Sequence, residues 1–188
     1  ITIIDTAMNY GSSERLIGKV CDSTWHVITK IPAIPEDCID LKNWLETNLF
    51  ASLKKLNKET IDTLLIHNPS DIEKGLFSLL VDIKKDKLIN NIGISIYDPS
   101  SINKNINLSE IDIIQCPYNI LDRRIIKSGL ANRLKDIGIE IHARSIFLQG
   151  LLLMPYPSRP KYFNKWDNVW IRWENLLKEN NISPLDVC

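Results

Sequence analysis

Six short runs rich in β-branched residues recur along this chain, at residues 2–5 (TIID), 26–31 (HVITKI), 63–67 (TLLIH), 91–96 (NIGISI), 112–118 (DIIQCPY) and 139–147 (IEIHARSIF). Amphipathic stretches separate them. Residues 40–57 carry Leu41, Trp44, Leu45, Leu49, Leu53 and Leu56 at helical spacing with lysines and acids opposite. Residues 71–89 repeat the arrangement, and 128–138 end on Gly138, where a helix C-cap would stand. Nearly continuous apolar strands are covered on both faces, and strand alternating with helix requires crossovers, so the pattern predicts an α/β fold with a parallel sheet. Neither GxGxxG nor GxxxxGKS/T is present, which counts against an open dinucleotide-binding sheet. A (β/α)8 barrel of the TIM type, incomplete here, is the expectation, and such a barrel gathers its chemistry at the C-terminal ends of its strands.

The rest of the composition narrows the function. The 188 residues are taken as one domain, 1–188, long enough to bury a core. Lysine plus arginine equals aspartate plus glutamate at 23 each, so there is no global field to attract nucleic acid or an anionic membrane, and neither is expected as a partner. No apolar run approaches the ~20 residues of a spanning helix, and the opening ITIIDTA lacks the features of a signal peptide. Cys21, Cys38, Cys116 and Cys188 are scattered without a CxxC pair, which predicts reduced thiols, a cytoplasmic location and no metal site. The first residue already lies within a strand-like run, and Ser183-Pro184 near the end is a helix start signal, so a piece of a longer protein is expected.

Polar residues close the first three strands. Asp5 ends the first, Lys30 the second (VITKIP) and His67 the third (LLIHNP), with Tyr10-Gly11 in the loop after the first. Singly, each has a structural reading: Asp5 as a turn cap, Lys30 as a surface charge, His67 as a core histidine, Tyr10 as a packing aromatic. Together they deliver an acid, an ammonium, an imidazole and a phenol to one rim. Among the remaining segments, Trp166, Trp170 and Trp173 at helical spacing read as core packing, His26 and His142 as structural, and DRR at 122–124 as either a salt-bridged helix start or an anion contact.

The pieces IDTAMNYGSSERLIG, VITKIP, LLIHNP, IGISIYDP, IIQCPYNILDRR and ARSIFLQGLLL resemble, in order and spacing, the aldo-keto reductases. DTAxxYGxSE is their most specific element, and the later segments resemble bacterial members. The resemblance implies an enzyme that reduces a small-molecule carbonyl compound with a nicotinamide cofactor, NADPH by preference and NADH as the alternative. It places the catalytic tetrad on Asp5, Tyr10, Lys30 and His67. Tyr10 would be the general acid. A phenol with a pKa of ~10 needs a nearby cation to release its proton, so Lys30 is expected to lower it, Asp5 to hold Lys30, and His67 to orient the substrate oxygen.

The cofactor residues implied by the same motifs are Ser95, Gln115, Arg144, Ser145 and Leu148. Ser95 and Gln115 would hold the carboxamide, Arg144 would stand where an aromatic stacks on the nicotinamide ring, and Ser145 and Leu148 would line the pyrophosphate loop. The asparagine expected after Ser95 is replaced by Ile96, which removes an amide contact. Tyr156, Tyr162 and Phe163 fall in a region that overhangs the substrate pocket in the family. Counted by that pattern the six strands are the second to the seventh, and the two open barrel edges predict self-association. A cofactor-binding sensor or regulatory subunit of the same fold, and an inactive fragment, stand as the alternatives.

Overall fold

Strand and helix alternate as the sequence pattern predicts. The computed structural model describes residues 2–102 and 106–188. Its strands are β1 (Ile3–Asp5), β2 (His26–Ile31), β3 (Ile61–Ile66), β4 (Ile89–Ser95), β5 (Ile113–Pro117) and β6 (Glu140–Arg144). They form one sheet in chain order, every neighbouring pair parallel. The helices are α1 (Ser13–Val20), α2 (Leu41–Leu56), α3 (Leu76–Lys85), α4 (Arg124–Lys127), α5 (Leu130–Asp136), α6 (Asp167–Asn180) and α7 (Pro184–Val187).

Glycines cut two expected helices. The periodic stretch 71–89 becomes a 3-10 turn, Pro69–Ile72, then α3, because Gly75 takes φ 87 between them. The stretch 128–138 becomes helical only from Leu130, as α5, because Gly129 takes φ 76 before it; α4 precedes that stretch. β6 stops at Arg144, short of the expected 147, because Ser145 at φ 58 turns the chain out of the sheet.

Side chains alternate across the strands, and the two faces differ in kind. Val27, Ile31, Leu64, Ile66, Ile92, Ile94, Ile96, Ile114 and Cys116 face the helices and join Leu45, Leu49, Leu53, Leu76, Leu80 and Leu134 in the main core. On the other face Ile28, Leu65 and Ile113 form a small cluster of their own. Two residues further along β2 and β5, and just past the end of β3, the same face carries Lys30, Gln115 and His67. The apolar trio is thus the floor beneath the polar strand ends.

Two contacts fix the first helices. Gly18 on α1 leaves room for α2: a Cβ there would lie 2.2 Å from the Lys55 carbonyl. Glu14, buried on α1, accepts from the hydroxyls of Thr29 on β2 at 2.8 Å and Ser52 on α2 at 2.6 Å. Three elements share one carboxylate oxygen.

The sheet is curled yet open. Gln115 on β5 reaches across to Asp5 on β1 through a 2.8 Å hydrogen bond, although the two strands are not neighbours. β1 and β6 are edges; Ile3, Asp5, Glu140 and Ala143 are exposed there, while β2 to β5 are largely buried. Beyond β6 a second core gathers Leu151, Leu152, Trp170 and Trp173. Trp170 and Trp173 pack as their spacing predicts, whereas Trp166 stays 41% exposed. Ser183 caps α7 by accepting from the Asp186 N–H. The four cysteines are free, and no helix of the described residues is long and apolar enough to cross a membrane.

Candidate active site

Lys30 is the centre of the rim. Its side chain is 2% exposed, and its ammonium donates to Asp5 Oδ2 at 2.7 Å and to the Thr6 carbonyl at 2.7 Å. The position follows from sequence, since Lys30 is an inward residue near the end of β2 and Asp5 ends the neighbouring β1. Backbone pairing continues past β1, where the Thr6 N–H donates to the Ile28 carbonyl and the Met8 N–H to the Lys30 carbonyl. The chain then turns tightly, the Tyr10 N–H closing on the Ala7 carbonyl and Gly11 taking φ 56, which presents Tyr10 above Lys30.

The four strand-end residues meet. The Tyr10 ring stands edge-on to His67, centroids 6.1 Å apart at 76°, and the Lys30 ammonium lies 5.5 Å from the centre of the Tyr10 ring. Half of Tyr10 remains open to solvent. Asp5, Tyr10, Lys30 and His67 therefore occupy one cleft.

Electrostatics sets the protonation of the group. The Tyr10 phenol is held above its ordinary value of 10.0, first by partial burial and then by the Asp5 carboxylate, with Arg144 the cation that opposes them. Burial depresses Lys30 itself, and the hydrogen bond and charge of Asp5 counteract this. His67 is pushed below 6.5 by burial and then by the Lys30 and Arg144 charges, so at neutral pH it is an uncharged imidazole with one N–H to donate.

Asp5 also joins this group to the residues expected to hold the cofactor. Its second oxygen, Oδ1, accepts from the Gln115 amide at 2.8 Å, and Gln115 Oε1 accepts from Ser95 Oγ at 3.4 Å. Ser95 and Gln115 are register partners on β4 and β5, both buried. The Gln115 carbonyl and the Ser95 oxygen keep lone pairs for an amide N–H, so this pair fits a nicotinamide carboxamide. Ile96 faces the helix-side core, fully buried, and its side chain does not line the cleft.

Arg144 stacks on an aromatic ring of its own chain. Its guanidinium sits 4.2 Å over the Tyr97 ring and donates through Nη2 to the Ile96 carbonyl at 3.1 Å. Ser145 is exposed, and its carbonyl accepts from Asn119 at 3.0 Å. Leu148 packs on the second core, and its N–H donates to the Ser145 carbonyl at 2.9 Å.

Residues outside the expected set also matter. Tyr97 was recoverable by alternation: two residues past inward Ser95, it returns to the same face and meets Arg144. The Thr6 carbonyl is a backbone acceptor that no side-chain pattern reveals. Arg124 pairs with Asp122 at 2.7 Å and Asp98 at 2.9 Å, which makes DRR a salt-bridged helix start. His26 and His142 sit beside Asp62 at 3.4 Å and Glu140 at 2.9 Å. Tyr162 and Phe163 contact each other and Trp166, and Tyr156 lies near Arg159; of these Phe163 packs on the second core, while Tyr156, Tyr162 and Trp166 are exposed. Among the described residues no group of three or more His, Cys, Asp or Glu side chains is placed to hold a metal ion.

Comparison with known proteins gives a consistent picture. The family model described as the aldo/keto reductase family matches residues 1–188. An NADH-specific methylglyoxal reductase of Escherichia coli K12 is 28% identical over 208 residues, covering 95% of this chain and 62% of that protein. An L-glyceraldehyde 3-phosphate reductase of the same strain is 27% identical over 156 residues, 77% of this chain and 45% of that protein. This chain thus spans about half the length of these curated relatives. A glycerol dehydrogenase from Gluconobacter oxydans superposes with a TM-score of 0.74 at 24% identity, over 98% of this chain and 66% of that one, which identifies the fold as an incomplete (β/α)8 barrel.

Proposed function

We propose a function for this chain from the premise that it belongs to the aldo/keto reductase family along its whole length: it carries the proton-donating side of an oxidoreductase that reduces an aldehyde or ketone to an alcohol. The observation that carries the reading is the buried Lys30–Asp5 pair beneath Tyr10, with His67 against the same ring. A reduced nicotinamide, NADPH by first preference with NADH as the alternative, supplies the hydride when bound.

The residues present divide the remaining work. His67, uncharged, donates its N–H to the substrate carbonyl oxygen and orients it. Tyr10, protonated throughout the neutral range because its pKa is raised, gives its proton to that oxygen as negative charge develops there. The Lys30 ammonium limits the cost of the transient phenolate, and Asp5 keeps Lys30 charged despite its burial. Ser95 and Gln115 hold the carboxamide, and the Gln115–Asp5 hydrogen bond couples the cofactor position to the proton-donating group. Ser145 faces the solvent side of the same rim, where an anionic part of the cofactor would approach. The four free thiols favour a reducing, cytoplasmic setting.

Tyr10→Phe tests the assignment. Removing a general acid costs about 10²–10⁴ in rate, so carbonyl reduction should fall by at least two orders of magnitude while NADPH and NADH affinities stay within about twofold. A rate equal to that of the unsubstituted protein rejects Tyr10 as the acid.

A further inference from the structure

We propose that Arg144 forms a subsite for an anionic oxygen group, phosphate or carboxylate, carried by the carbonyl substrate. This rests on the reductase reading above. Arg144 pairs in register with Pro117, two residues beyond inward Gln115, and so stands on the cleft side of β6. The ion pairs that arginine makes among the described residues belong to Arg124 and Arg159, and Arg144 has no carboxylate partner there. Its contacts are a ring face and one neutral carbonyl. The Nε–H is buried with no acceptor.

The charge balance of the cleft points the same way. Asp5 and Lys30 cancel, and His67 and Tyr10 are uncharged at neutral pH, so Arg144 leaves one net positive charge. That charge opposes the rise of Tyr10 and adds to the lowering of Lys30 and His67. A partly desolvated guanidinium with an unsatisfied N–H is costly until an anion meets it, and its planar fork matches phosphate and carboxylate oxygens. A neutral aldehyde leaves those donors empty. The pyrophosphate of a dinucleotide offers the same chemistry, so the test must separate the two sources.

The experiment titrates the purified protein calorimetrically with glyceraldehyde 3-phosphate and with glyceraldehyde, both without cofactor and with saturating NADP⁺. Unsubstituted protein, Arg144→Gln and Arg144→Lys are compared, with circular dichroism confirming that each is folded. The unsubstituted protein should prefer the phosphorylated aldehyde. Arg144→Gln should reduce that preference at least about tenfold, and Arg144→Lys should restore part of it, since a lysine keeps the charge and loses the fork. An unchanged preference, an equal loss for both aldehydes, or no preference in the unsubstituted protein overturns the proposal. So does a greater loss of NADPH affinity than of phosphorylated-aldehyde affinity, which would give Arg144 to the cofactor. Failure of the reductase reading shows separately, as no turnover with NADPH while the binding preference persists.

Discussion

Asp5 joins the proton-donating group to the opposite side of the sheet. One oxygen holds the Lys30 ammonium and the other receives the Gln115 amide. Asp5→Asn should therefore destabilise the fold by about 2 kcal/mol, the worth of a charge-assisted hydrogen bond beside a buried cation, read as a lower denaturant midpoint at unchanged m-value. The same substitution should bring the Tyr10 phenol down towards 10.0, because Asp5 is the second cause of its elevation; an ultraviolet difference titration measures this, and a higher value would contradict the geometry. His67 sets a different pH dependence. Its value in the folded state lies below the ordinary 6.5, so as pH falls the unfolded chain takes up the proton first. Stability should be full above about pH 6.5 and decline as pH drops through it, and His67→Gln should flatten that decline in thermal melts between pH 5 and 8. The tetrad was legible because each member is a polar residue at an apolar strand end or in the adjoining turn. The Asp5–Gln115 bond was not, because it depends on how far the sheet curls.

Helices here are positioned by what they lack as much as by their apolar faces. Gly18 lets α1 lie directly on the α2 backbone, with no space for a methyl group. Gly18→Ala gains about 1 kcal/mol of helix propensity and loses more to overpacking, so a net destabilisation of about 2 kcal/mol is expected in urea unfolding, and a stabilised variant would mean that α1 shifts freely. The sequence pattern located α2 through its leucines, predicted no helix at α1 and gave no sign of this contact. Gly75 and Gly129 show the opposite case. The helical pattern ran through Gly75 and began beside Gly129, and the backbone turned left-handed at each, which shortened the expected helices.

The molecule as a whole is a curled parallel sheet with unpaired strands at both ends, and exposed edges of that kind recruit other strands. The 188-residue chain on its own should self-associate, its sedimentation-average mass rising with concentration; a monomer at all concentrations would show that the edges are protected. The fold was legible from alternation alone, and the openness from counting strands against a barrel of eight. The separate second core around Trp170 and Trp173 was foreseen only as a helix stripe, because its partners Leu151 and Leu152 lie in a loop with no periodicity.

The hydrogen bond from Gln115 to Asp5 joins residues 110 positions apart, and this governs when the site comes into being. Contacts so distant in sequence are slow to form, because a long loop must be closed before they repay its entropy. Each βα unit can assemble locally, yet none of them alone contains the cleft. Chemical competence should therefore be among the last properties to appear during refolding, trailing the recovery of helical structure, and a nick in the chain between the two residues should silence the site while leaving much of the secondary structure intact.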